Sequence, residues 1–258
     1  MSSFPGLVLL VALPLSLTAA WLFQKLHRPE AQPVGRASGE AALMALLVFA
    51  GVQLLRAGIA PFFPREEEWL RRLLDMSALL LGAVLMLLVM ARGAVLVAGG
   101  AARARQALLG MCAYVAAFPL VLGVHWLTSF LPESAGTRQA TLAFLADAPA
   151  ARVALMTVLL MTVVPLFEEL VFRGFLLRGL EGMSAQLITN RRLGRQLAVL
   201  ATALCFAAVH ERAAMPAIFV IGLLLGWIAL AGGGLWAAIA FHALHNGVTV
   251  AVHLAGVE

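Results

Sequence analysis

Long apolar runs without a charged side chain are the feature that most restricts how this chain can fold. The 258 residues are 62% hydrophobic and only 12% charged, with a mean hydropathy of +0.97, whereas an ordinary soluble domain is roughly half apolar. A domain of 27.3 kDa cannot hide that much apolar surface from water, but lipid covers it where the runs reach about 20 residues. The sequence therefore predicts a membrane protein and excludes a soluble fold.

Hydropathy windows of about 19 residues predict eight transmembrane helices. They lie near residues 4–23, 41–55, 76–91, 107–131, 153–177, 197–210, 217–231 and 235–253. No basic residue precedes the first of them, so we interpret it as a retained span. The spans at 197–210 and 217–231 are short and closely connected, which predicts a steep hairpin. The expected fold class is an all-α, polytopic membrane helix bundle, with residues 1–258 forming one integral membrane domain.

The charged residues are scattered through the connectors. The chain has 18 basic and 13 acidic residues and a net charge of +5, but no basic face forms, so we expect no nucleic-acid partner. With Arg173 left aside, alternate connectors hold ten and seven basic residues, which favours a cytoplasmic position for the connector 178–195. Lys25 is the sole lysine, and this arginine-heavy composition leads us to expect a bacterial inner (cytoplasmic) membrane protein.

Three groups of ionisable or polar residues lie inside the apolar runs. Placing an ionisable side chain in hydrocarbon costs about 2.5–3.5 kcal/mol, so each such position is a candidate for a functional or structural role. The groups are Glu168, Glu169 and Arg173; Phe206 and His210; and His242, His245 and Asn246.

Helical spacing separates the two carboxylates. Glu169 and Arg173 stand at i,i+4 with the acid first, the favourable order for an ion pair. Glu168 is rotated by about 100° from Glu169, so it is left available for chemistry. On the last span, His242 and Asn246 share one face and His245 lies close to it.

These residue types together suit hydrolysis. A carboxylate can act as the general base on a water, while a histidine and an amide donate to the developing oxyanion. Two other classes of function use the same residues. One is a proton-coupled membrane transporter, in which the carboxylates and histidines form a relay. The other is a non-catalytic membrane partner or immunity protein, in which they only hold helices together.

The three groups also form an ordered set of motifs: E-E-x-x-x-R at Glu168, F-x-x-x-H at Phe206 and H-x-x-x-N at His242. In this the sequence resembles the family of intramembrane CAAX-prenyl-protease-like and bacteriocin-processing proteins, often called the CPBP or ABI family. The resemblance covers residues 137–250, the expected catalytic core, and residues 1–131 add spans without a motif.

The resemblance implies an intramembrane endopeptidase of the glutamic type. Glu168 would activate the water and His210 would assist it. His242 and Asn246 would stabilise the oxyanion, Glu169 and Arg173 would support the site, and His245 and Phe206 are further candidates for it.

The resemblance also implies a membrane-embedded or lipid-anchored protein or peptide precursor as substrate, for example the C-terminal tail of an exported protein. We expect no cofactor. Zinc is disfavoured because asparagine is a poor zinc ligand and no compact zinc spacing such as H-E-x-x-H occurs.

Overall fold

A computed structural model describes residues 16–21, 39–59, 62, 68–92, 100–128, 130, 145 and 148–256. Most of the span predicted near 4–23, and most of residues 131–147, lie outside the described residues. The helices are α1 (Gly39–Ile59), α2 (Glu68–Arg92), α3 (Gly100–Thr128), α4 (Ala150–Glu169), α5 (Leu177–Leu187), α6 (Arg191–Ala208), α7 (Met215–Ile228) and α8 (Gly234–Leu254). The described residues contain no β-strand, and the predicted all-α fold is confirmed.

Four helical stretches in the described part of the chain are long and apolar enough to cross a membrane. They are Ala102–Thr128, Ala150–Leu187, Arg212–Ala231 and Gly234–Leu254, and the apolar stretch Ala42–Gly58 is shorter. The protein is therefore an integral membrane helix bundle, as predicted. The predicted number of eight spans is not confirmed.

Helices α6 and α7 form the predicted hairpin, and two glycines let them approach closely. A Cβ atom at Gly222 would lie 3.2 Å from the Cα of Ala203, and one at Gly226 would lie 3.0 Å from Val199. The pairs run in opposite directions along the two helices, so the hairpin is antiparallel. Lipid removes the hydrophobic force between helices. Small residues stabilise such a contact because they let the two backbones pack closely.

Helices α3 and α8 run parallel and also meet at glycines. A Cβ at Gly110 would collide with the carbonyl of Ala237. Gly234, which begins α8, has a φ of +66° and lies against the side chain of Gln106. The first glycine is required by the close approach and the second by a backbone conformation that disfavours L side chains.

The helix that carries the acidic motif is continuous but not uniform. α4 contains Pro165 and is followed by a π-helical segment, Leu170–Leu176, that leads into α5. All seven residues of this segment are buried. Single-turn π-helical insertions often occur at functional sites, and here the segment starts one residue after Glu169.

A charged cluster ties α5 and α6 to the end of α7. Glu181 pairs with Arg178 at 3.2 Å and with Arg195 at 2.9 Å. The same two arginines donate to backbone carbonyls of a second π-helical segment, Ala229–Gly233: Arg178 to Ala229 at 3.1 Å and Arg195 to Leu230 at 3.0 Å. These bonds fix the end of α7 in position relative to α5 and α6.

Candidate functional site

The two adjacent carboxylates at the end of α4 have different surroundings. Glu169 is fully buried and its Oε1 accepts a hydrogen bond from Nη1 of Arg173 at 3.0 Å. The ion pair predicted from i,i+4 spacing is therefore present. Arg173 also donates from Nη2 to the carbonyl of Gly222 at 3.2 Å, and this bond joins the π-helical segment to α7. The fork of the guanidinium serves both bonds at once.

Glu169 has a second partner, which the sequence did not reveal. The same Oε1 lies 2.8 Å from Nδ1 of His242 on α8. Because a carboxylate oxygen accepts, Nδ1 carries the hydrogen of this bond. Glu169 thus fixes both the orientation and the tautomer of His242, and Nε2 of the ring is directed elsewhere.

That Nε2 faces Glu168. The Oε2 atom of Glu168 lies 3.9 Å from Nε2 of His242 and 4.0 Å from Nε2 of His210. These separations are too long for direct hydrogen bonds. Oε2 is buried and has no hydrogen-bond partner among the described residues, which is uncommon for a buried polar atom.

His210 lies two residues after the end of α6 and is oriented by the last turn of that helix. Its Nδ1 lies 2.7 Å from the carbonyl oxygen of Phe206, one turn earlier. The carbonyl can only accept, so Nδ1 is the protonated nitrogen and Nε2 is left toward Glu168. The F-x-x-x-H spacing therefore has a direct structural meaning, because the backbone of its first residue holds the histidine ring.

The ring of Phe206 packs at the centre of the site. The guanidinium of Arg173 lies over this ring at 4.3 Å. The Phe206 ring also makes edge-on contacts with three other rings. Those rings are Phe172 at 5.1 Å, His210 at 4.8 Å and His242 at 5.8 Å. Phe206 is fully buried, so it covers the guanidinium of Arg173 and supports both histidines.

Asn246 lies on the same helix as His242 but is engaged with α4. Its Nδ2 donates to the carbonyl of Leu160 at 2.9 Å. This bond accounts for one of the two amide hydrogens. The structure thus groups Glu168, Glu169, Arg173, Phe206, His210 and His242. Asn246 contacts the acidic helix at Leu160, eight residues before Glu168.

His245 faces a different neighbour. Its ring lies between two rings of α3, with centroid distances of 5.9 Å to Tyr114 and 6.1 Å to His125. His245 is buried, and its Nδ1 has no hydrogen-bond partner among the described residues. Neither α3 residue could be connected with this group from the sequence, because spacing along one helix does not identify the neighbouring helix.

Within the described part of the chain, no three His, Cys, Asp or Glu side chains are grouped so as to hold a metal ion.

Residues 150–248 match the family model described as type II CAAX prenyl endopeptidase Rce1-like. The match contains every residue of the three motifs and agrees with the resemblance seen in the sequence, so that prediction is confirmed. No curated protein and no solved structure matches the chain significantly.

Proposed function

We propose that this membrane protein, with its CAAX-protease-like domain at residues 150–248, hydrolyses a peptide bond by means of a water activated by Glu168. One observation carries the proposal. A carboxylate oxygen without a hydrogen-bond partner among the described residues, on the candidate membrane span Ala150–Leu187, faces two imidazole nitrogens at 3.9 and 4.0 Å. An ionisable group inside an apolar span is expensive and is retained for function.

The spacing suits a bridging water. Two hydrogen bonds of about 2.8 Å that meet at about 90° span about 4 Å. One water can therefore bond to Glu168 and to either histidine, and the Glu168 carboxylate is the proposed acceptor of its proton. On attack by this water, Glu168 takes its proton and later returns it to the leaving amine.

Charge balance supports a donor role for His242. Glu168 and Glu169 carry two negative charges and Arg173 carries one positive charge, so one further proton makes the site neutral. Placed on His242, that proton is stabilised by Glu169, as an aspartate stabilises imidazolium in the serine-protease triad. Protonated Nε2 then donates to the oxyanion, and the second amide hydrogen of Asn246 is a further donor.

The proposed mechanism uses no metal. Two ligands on a tetrahedral zinc with bonds of about 2.1 Å are about 3.4 Å apart, shorter than the 3.9 and 4.0 Å between Glu168 and the histidines. Glu169 and Phe206 also direct the two rings through their Nδ1 atoms.

The substrate is proposed to be a membrane-embedded or lipid-anchored protein or peptide precursor. The side chains of Glu168 and His210 are 18% and 23% exposed, so the scissile bond must enter between the helices. The C-terminal tail of an exported protein, in a bacterial inner membrane, fits this access.

The test uses purified protein in proteoliposomes with two fluorogenic probes. One peptide ends in an S-farnesyl cysteine followed by three residues, and the other is an apolar tail peptide. We expect cleavage of at least one by the wild type and a loss of at least 100-fold in kcat for Glu168→Gln. The matched control is Glu68→Gln, which removes a partly exposed carboxylate paired with Arg72 on α2.

Full activity of Glu168→Gln would contradict the mechanism. Substrate-dependent proton flux without cleavage would instead indicate a transporter, and unchanged biological activity of Glu168→Gln would indicate a non-catalytic partner.

A further inference from the structure

His245 is a buried polar side chain that the proposed mechanism does not use. Only 6% of it is exposed, and its Nδ1 lacks a hydrogen-bond partner among the described residues. Buried polar atoms in native proteins are nearly always satisfied by protein, water or a ligand. The described structure supplies no protein partner, so the nitrogen is available to a bound molecule.

The rings around His245 extend from the surface of the bundle to α8. On one side lies the buried ring of Tyr114, which itself packs edge-on against Phe241 at 5.2 Å. On the other side lies His125, whose ring is nearly parallel to that of His245, at 18° between planes. His125 is exposed and stands close to the end of α3, so the group reaches from the outside of the bundle to α8.

His245 also lies close along α8 to His242, a proposed catalytic residue. It follows His242 by three residues, which is about 4.5 Å along the helix axis and on a neighbouring face. An extended peptide advances about 3.3 Å per residue. A substrate whose scissile carbonyl lies at His242 therefore brings the next peptide group close to His245.

We propose that His245, which Tyr114 and His125 hold in place, binds the substrate by hydrogen-bonding the peptide group next to the scissile bond. A neutral imidazole has one donor and one acceptor nitrogen, which complements a peptide group with one N–H and one C=O. The inference rests on the proposed function, since it assigns a subsite of the same active site.

Two changes at one contact test this. The variant is His245→Phe, which keeps an aromatic ring and removes both nitrogens, and the substrate change replaces the amide on either side of the scissile bond by an ester. The probe is the farnesylated or apolar peptide that the wild type cleaves. The matched control is His253→Phe, a second buried histidine on α8.

We expect His245→Phe to lower kcat/KM about tenfold on the all-amide peptide, mainly through KM. When the ester replaces the amide that His245 contacts, kcat/KM of the wild type falls by a similar factor. The kcat/KM of His245→Phe then falls little further, because the hydrogen bond is already absent. His253→Phe follows the wild type on both peptides. His245→Gln, which retains a donor and an acceptor, recovers part of the loss, and this separates hydrogen bonding from a change in packing.

If His245→Phe lowers kcat/KM relative to the wild type by the same factor on the amide peptide and on both ester peptides, the proposed subsite is wrong. The proposed protease activity would still stand. Absence of cleavage of every peptide by wild type and His253→Phe would overturn the proposed function and this inference with it.

Discussion

Nδ1 of His242 and Nη1 of Arg173 converge on a single oxygen of Glu169, at 2.8 and 3.0 Å. The interaction between Glu169 and His242 links the last helix of the bundle to the acidic helix. It also leaves the neighbouring Glu168 without a strong partner among the described residues. The two carboxylates of the motif are therefore proposed to divide the work, with Glu169 as a positioning residue and Glu168 as the catalytic residue.

This division predicts different losses for the two carboxylates. Glu169→Gln leaves the buried charge of Arg173 uncompensated, and breaking a buried pair typically costs about 3–5 kcal/mol. We expect a lower apparent unfolding temperature in detergent together with loss of cleavage. Glu168→Gln should lose cleavage while its unfolding temperature stays near that of the wild type. Equal unfolding temperatures for the two variants would refute the division.

Phe206 is expected to affect activity through the two histidines. Phe206→Leu removes the ring under Arg173 and the edge-on contacts with both imidazoles, while the backbone carbonyl that holds His210 remains. We expect a loss of about 1–2 kcal/mol in stability and a fall of about tenfold in kcat with little change in KM. Kinetics on the cleaved probe measure this, and an increase confined to KM would argue against it.

The contact between α6 and α7 gives a prediction about packing. Gly222→Ala would place a Cβ 3.2 Å from Ala203 and 3.3 Å from Phe206, and it would displace the carbonyl that accepts from Arg173. We expect a loss of about 1–3 kcal/mol, the usual cost of overpacking. Gly51→Ala on α1, where nothing lies within 4 Å, should instead be neutral or gain about 0.5–1 kcal/mol in helix propensity.

Thermal unfolding followed by tryptophan fluorescence compares these two alanine variants directly. Loss of stability in both would indicate that helix packing at Gly222 is not the cause.

Removal of metal ions is expected to leave cleavage unchanged. The spacing of Glu168 from His210 and His242 suits a bridging water better than a shared zinc ion. Dialysis against EDTA and then 1,10-phenanthroline, with metal content checked by mass spectrometry, provides the measurement. A loss that zinc restores would require a different mechanism.

The sequence predicts local relations well because they depend on one helix. Hydropathy indicates the apolar helices, and i,i+4 spacing predicts the pair of Glu169 with Arg173. The bond from Glu169 to His242 spans 73 positions, and spacing along a helix identifies a face without identifying the helix that packs on it. For the same reason the partners of His245 on α3 could not be predicted.

The number of spans was harder to predict for a physical reason. Helix α6 begins with arginines and is apolar only in its C-terminal part. For such a helix, length and composition alone do not distinguish a membrane-spanning helix from one buried within the protein. The sequence does not predict the π-helical segment at Leu170–Leu176 either, because the spacing of side chains over so few residues does not distinguish a π-helical turn from an α-helical one.

That segment makes chain length a determinant of the site. A π-helical turn holds about one residue more than an α-helical turn, which shifts the phase of the residues after it by about 100°. Regular α-helical winding over the same number of residues would rotate Arg178 and Glu181 away from their partners on α6 and α7, whereas deleting one residue between Leu170 and Leu176 would remove the extra residue and keep them in place. The wider turn thus accommodates one extra residue locally, so that the acidic motif and the far end of its helix both keep their partners.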